Sequence, residues 1–137
     1  MLTWSCPGAI LSFTESANDE GRYIGGALPF VASLGLNYTP IQNWDLNLRV
    51  RHFGERALDS FNAEKSSPLT VVNFNSHYTI DDVTLGFSIL NLFDSNDHDI
   101  DYVYNSRLPT EPSSGISDTH FHPIEPLTVR LSVVYQF

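Results

Sequence analysis

Leu127-Thr128-Val129-Arg130-Leu131-Ser132-Val133-Val134-Tyr135-Gln136-Phe137 decides the fold. Its odd positions hold Leu127, Val129, Leu131, Val133, Tyr135 and Phe137, and its even positions hold Thr128, Arg130, Ser132, Val134 and Gln136. Successive side chains of an extended backbone point to opposite faces, so this segment is a strand with one apolar face and one mostly polar face.

The same alternation recurs upstream. Phe30 to Tyr38 sets Phe30, Ala32, Leu34, Leu36 and Tyr38 against Val31, Ser33, Gly35 and Asn37, and Trp44 to His52 sets Trp44, Leu46, Leu48 and Val50 against Asp45, Asn47, Arg49 and Arg51. Leu69 to Ile80 and Val83 to Phe93 repeat it, with slippage near Leu90 to Leu92. Leu2 to Phe13 is a sixth candidate, loosened by Pro7-Gly8, since proline removes a ladder donor. No window carries the apolar spacing of an amphipathic helix. The predicted class is all-β, an antiparallel up-and-down meander of five or six strands.

The links between these strands are of two kinds. Thr39 to Asn43 and Asp81-Asp82 are short and have turn composition, whereas Glu15 to Leu28, Gly54 to Pro68 and Asp94 to Pro126 are long, polar and rich in Gly, Pro, Ser and Asp. Long and short alternate strictly, which puts every short turn on one edge of the sheet and every long loop on the other. Strands of about ten residues, tilted, span a bilayer core, and outer-membrane barrels join them by short turns on one side and longer loops on the other. Aromatic residues should then mark both interfaces. Tyr38, Trp44, Tyr78, Tyr135 and Phe137 fall at the short-turn rim, and Phe30, Phe53 and Phe93 at the long-loop rim. The rival is a soluble antiparallel sandwich, whose strands also alternate. Aromatics concentrated at strand ends favour the membrane barrel.

Composition narrows the partners. The chain has 137 residues, with 7 Lys and Arg against 16 Asp and Glu and a net charge of -9, so nothing in it would neutralise a nucleic-acid backbone. A hydrophobic fraction of 42% is too high for a disordered acidic tail. The single cysteine, Cys6, excludes an intrachain disulfide and a multi-thiolate metal site and leaves the redox compartment undecided. Met1 to Phe13 lacks the basic region of a secretory signal. The uncharged stretch Tyr23 to Trp44 is interrupted by Gly25, Gly26, Pro29, Ser33 and Pro40, so no transmembrane helix is expected.

Short motifs in order along the chain carry a family resemblance: Gly21-Arg22-Tyr23-Ile24, Phe30-Val31-Ala32-Ser33-Leu34-Gly35, Arg51-His52-Phe53-Gly54 and Asn91-Leu92-Phe93-Asp94. They continue with His98-Asp99-Ile100-Asp101-Tyr102, Ser106-Arg107-Leu108-Pro109, His120-Phe121-His122-Pro123 with Glu125-Pro126, Val129-Arg130-Leu131-Ser132 and Tyr135-Gln136-Phe137. From about Asn18 to Phe137 the chain resembles the C-terminal barrel segment of TonB-dependent outer-membrane receptors. Residues 1–17 are atypical, because Cys6-Pro7-Gly8 stands where that family has an uninterrupted strand. The resemblance implies residues 1–137 as the last strands of a barrel whose plug and earlier strands are absent. It also implies energy-coupled uptake of a scarce ligand, such as a metal chelate, siderophore or vitamin, across the outer membrane of a Gram-negative bacterium. The implied partners are outer-membrane lipid, the rest of the barrel and its plug, TonB through the missing part, and the outer-membrane assembly machinery. No enzymatic activity and no cofactor are implied.

Three sets of residues are candidates for function. The last long loop gathers His98, Asp99, Asp101, Arg107, His120, His122 and Glu125. Imidazole with carboxylate suits a borderline divalent metal, and His120 and His122, two apart, point the same way in an extended backbone. The preferred alternative is that these side chains hydrogen-bond one another and organise the loop, so no metal site is assigned. Arg49, Arg51, His77 and Arg130 lie on the polar face, where they would line a lumen, with ion pairing to Asp45 as the plain expectation. Phe137, with Tyr135 and Val133, has the position that in the resembled family the assembly machinery engages by strand addition. Two rivals from other classes are a small cupin-type jelly-roll metalloprotein, suggested by His120-Phe121-His122 followed by Glu125, and a soluble β-sandwich binding module.

Overall fold

A computed structural model describes residues 3–13 and 22–137. Among these, eight strands form: β1 (Thr3–Phe13), β2 (Phe30–Ile41), β3 (Trp44–Phe53), β4 (Leu69–Ile80), β5 (Val83–Leu90), β6 (His98–Ser106), β7 (Ile116–Pro123) and β8 (Thr128–Tyr135). A six-stranded sheet runs in the order β1-β2-β3-β4-β5-β8, antiparallel throughout, and β6 and β7 form a separate two-stranded hairpin. The meander is the expected one, and a sandwich of two facing sheets is not what forms.

Register fixes which side chains share a face, because directly paired residues point the same way. One row crosses β2 to β4 through Leu34 with Val50 and Val50 with Val72, and the next crosses β2 to β8 through Leu36 with Leu48, Leu48 with Phe74, Phe74 with Ile89 and Ile89 with Val129. Leu85 with Val133 and Phe87 with Leu131 extend that apolar face. The opposite face carries Asn37, Asn47, Asn75, Ser88 and Arg130 in a single row. Asn47 donates to Asn37 along it.

Among the described residues no second layer covers the apolar face. Leu131 is 79% exposed and Val133 71%, whereas the buried apolar residues are Ala57, Leu69, Val71 and Val72, at the end where the long links fold back. A water-soluble domain of this size would cover such a surface. A barrel wall leaves it to lipid.

Both short links turn on residues that tolerate positive φ, Asn43 at 69° and Asp81 at 50°. On the polar face Gly86 pairs with Ser132, whose side chain lies over it. A Cβ there would overlap Ser132 Oγ and reach Cδ2 of His77 at 3.4 Å, while Ser132 Cβ would remain at an ordinary 3.6 Å. Ser132 Oγ is the free end of a short side chain that can turn to another rotamer, so Gly86→Ala should change stability by less than about 1 kcal/mol in urea unfolding, alone or with Ser132→Ala. A loss of several kcal/mol in the single variant that the double variant does not share would show that Ser132 is locked in place.

The sixth candidate strand forms as β1, and its ladder is interrupted at Pro7-Gly8 by a register shift between Ser5 and Gly8. Three expectations need correction. β5 stops at Leu90, because Asn91 adopts φ 50° and leaves the ladder, so the strand does not reach Phe93. Phe53 pairs with Val31 and Leu69, which places it on the polar-face side of the sheet and removes it from the outward aromatic rim. The link 94–126 contains the β6-β7 hairpin where a loop was expected. The expectations for Glu15 to Leu28 lie partly outside the described residues.

Candidate functional site

Aromatic rings collect at the two ends of the apolar face. At the short-turn end Trp44 and Tyr78 meet edge to face with centroids 6.3 Å apart, and Trp44 Nε1 donates to Ser76 Oγ at 3.0 Å. Tyr135 and Phe137 lie at the same end, 6.4 Å apart, with Val133 one step inward on β8. At the long-loop end Phe13, Phe30 and His52 form a row, with centroid separations of 5.1 and 5.8 Å. Rings with a polar handle at a wet boundary are what a membrane interface selects.

On the other face, Arg49 and Arg51 project from β3 beside Asn73 and Val71 of β4, and His77 lies between Asp45 and Gly86. The expected pairing with Asp45 does not form. Asp45 accepts from Thr39 Oγ1 at 2.8 Å, and Arg130 pairs instead with Glu125 at 2.8 Å. Among the described residues no ion pair engages Arg49 or Arg51.

The described parts of the long links assemble into one cap above that face. Residues 54–68 fold back on themselves through Arg56 and Ser66, whose main chains and Ser66 Oγ exchange hydrogen bonds of 3.0 and 3.2 Å, and through the Ala57 to Lys65 bridge. Asp59 accepts the backbone N–H groups of Phe61, Ala63 and Glu64. Gly26 N–H donates to Ala57 at 2.8 Å and Tyr23 N–H to Ser60 at 3.1 Å, joining residues 22–29 to the same unit. Lys65 Nζ sits 2.7 Å from Glu55 at the surface, and that hydrogen bond with its charge raises the lysine pKa above its ordinary value.

The hairpin is anchored at its base by Asn91. Its Nδ2 donates to the carbonyls of Ser95 and Glu125, its Oδ1 accepts from Ser95 N–H, and its own N–H donates to Asn73 Oδ1. Asp94 Oδ1 accepts from Leu127 N–H at 3.1 Å. One short segment thus ties together both ends of the 94–126 excursion.

Within the hairpin, His98 stacks on Phe121 at 3.8 Å, and its Nδ1 lies 2.8 Å from Asp101 Oδ1, which accepts from it. His122 Nδ1 lies 2.9 Å from Asp99 Oδ1, and His120 stacks on Tyr104 at 4.0 Å. His120 and His122 share a face of β7 but are engaged apart. Arg107 Nε reaches the Glu111 carbonyl at 3.4 Å. Arg56 Nη2 crosses from the neighbouring loop to within 3.8 Å of Asp101 Oδ2 and 3.5 Å of the Asp99 carbonyl. Among the described residues no three His, Cys, Asp or Glu side chains gather where they could hold a metal ion.

Sequence reasoning found the histidines and carboxylates but missed Arg56, Asn73, Asn91 and Asp94 as organisers. For Asn91 a signal existed, an amide residue ending an apolar run where the backbone must turn. For Arg56 there was none, because its partners lie in a different loop.

A single-layer antiparallel meander, apolar on one face, polar on the other and ringed by aromatics at both ends, defines a section of a transmembrane β-barrel wall. The chain belongs to the TonB dependent receptor-like β-barrel family, whose model matches residues 2–92. Among solved structures it is similar to the ferric enterobactin receptor of Pseudomonas aeruginosa, in a mutant bound to enterobactin, at 17% identity and a TM-score of 0.68. A second mutant of that receptor gives 16% identity and a TM-score of 0.67. Each likeness covers 99% of this chain and 20% of the solved chain, so the chain spans about a fifth of the length of that receptor. No curated protein sequence matches it.

Proposed function

We propose that residues 1–137 are the C-terminal barrel segment of an outer-membrane receptor, acting in energy-coupled uptake of a scarce ligand with a plug and earlier strands that lie outside this chain. The observation that carries this is the uncovered apolar face bounded by aromatic rows, on a sheet whose family is that of TonB-dependent receptors. The protein sits in the outer membrane of a Gram-negative cell, its long links outward and its short turns toward the periplasm. TonB and the plug are its functional partners, and its role is transport without catalysis. Tyr135 and Phe137, exposed at the short-turn rim, are offered to the assembly machinery, with Val133 continuing the same apolar row.

Labelling of intact cells by a membrane-impermeant maleimide tests this, using the intact protein that contains residues 1–137 with Cys6→Ser. A Ser113→Cys variant, in the exposed link between β6 and β7, should label, and a Gln42→Cys variant should not. Deleting Phe137 should lower the labelled amount at matched expression far more than it lowers the melting point of refolded protein. Labelling at Gln42→Cys alone would overturn the orientation, and unchanged labelling without Phe137 would overturn its assembly role.

A further inference from the structure

Where the hairpin returns to the sheet, a half-open cavity of about 280 Å³ remains between the polar face and the base of the cap. Its floor is Arg51 of β3 and Asn73 of β4, its roof is Asp99 and Glu125 from the two ends of the hairpin, and Val71 and Leu90 close its sides. We propose that this cavity binds a small zwitterion, a compact ligand carrying both a carboxylate and an ammonium group. The proposal names the ligand class of the receptor function above and rests on that reading for its biological meaning, although the binding does not depend on transport.

The argument is one of unused hydrogen-bonding capacity and of sign. Arg51 has no ion pair among the described residues, so a guanidinium with five donors faces the cavity floor uncommitted. Asp99 holds His122 through Oδ1 and Glu125 holds Arg130 through Oε1, which leaves Oδ2 of the first and Oε2 of the second available. Asn73 uses its Oδ1 on Asn91 N–H and keeps its side-chain amide donors. Donors and positive charge therefore lie on the wall side, and acceptors and negative charge on the hairpin side. A lone anion gains Arg51 but meets two carboxylates, and a lone cation gains the carboxylates but meets Arg51. Only a dipolar ligand satisfies both walls, its carboxylate toward β3 and its ammonium toward the hairpin. The volume is just under the range of about 300–1,000 Å³ typical of drug-sized ligands, which fits a head group of amino-acid size.

Calorimetric titration of the intact protein in detergent at low ionic strength, with glycylglycine, acetate and ethylammonium as probes, tests the assignment. Glycylglycine should bind at least about tenfold more tightly than either single ion, the ratio expected when one charge-assisted hydrogen bond is gained or lost. Arg51→Met should weaken glycylglycine by about tenfold or more, with Arg51→Lys retaining part of the affinity. Glu125→Gln, which keeps an acceptor for Arg130, should weaken glycylglycine and strengthen acetate, an inversion that a merely structural role would not produce. Acetate binding as tightly as glycylglycine would reduce the cavity to a simple anion site and overturn the proposal. No binding of any probe, as when a segment of the plug fills the cavity, would overturn it too. Failure of the receptor reading would show in cell labelling and leave these titrations unchanged.

Discussion

Arg56→Met is expected to free the β6-β7 hairpin from the rest of the cap. Arg56 and Asp101 face each other with side chains only 10% and 4% exposed, so the pair is held largely out of water. Removing the guanidinium leaves Asp101 buried with His98 as its remaining polar partner, and breaking a buried pair in this way costs about 3–5 kcal/mol. The loss falls on docking rather than on the sheet, because β6 and β7 hydrogen-bond to each other and to no strand of the main sheet. Amide exchange over residues 98–123 should accelerate by about a hundredfold or more, while β2 to β5 stay protected. Arg56→Met with Asp101→Asn should recover most of the protection, since the uncompensated charge is gone. Unchanged exchange in the single variant would show that the hairpin is held by its base alone.

Leu131→Arg should destabilise the protein in phospholipid vesicles by about 2–4 kcal/mol, the cost of a cation on the lipid face near the bilayer midplane. Leu131 pairs with Phe87 in the middle of the β5-β8 ladder, and among the described residues it is 79% exposed. Val134→Arg, one face over and opposite Thr84, should cost less than about 1 kcal/mol, because a barrel wall turns that side away from lipid. Urea unfolding of the two variants in the same vesicles measures the difference. Equal losses would mean that the two faces meet the same surroundings.

The wall was legible in the sequence because strand alternation and strand length are local signals. β4 has the expected bounds of Leu69 to Ile80, and β2 and β3 differ from expectation only at their ends. Parity also held the correct answer for Phe53, which shares the odd positions of β3 with Arg49 and Arg51, and a glance at rim position alone hid it. The hairpin was illegible for another reason. Ile100, Tyr102 and Tyr104 do alternate with Asp101, Val103 and Asn105, but carboxylates, a register shift between His98 and Ile100, and Pro109 and Pro112 mask the period. What holds it is ring stacking and cross-loop charge, as between Tyr104 and His120 or Arg56 and Asp101, and those partners are distant in sequence. For the same reason Asn91 could be seen as part of a motif but not as the tie to Glu125, 34 residues away.

The most direct test is lipid contact along β8. Single cysteines placed at 129, 131 and 133 and at 130, 132 and 134, in the intact protein with Cys6→Ser, can carry a bimane fluorophore and be reconstituted with brominated phospholipid. A barrel wall predicts strong quenching at Val129→Cys, Leu131→Cys and Val133→Cys and weak quenching at Arg130→Cys, Ser132→Cys and Val134→Cys, following the two faces of the strand. Quenching that does not alternate, or that is absent at the odd positions, would contradict a lipid-facing sheet.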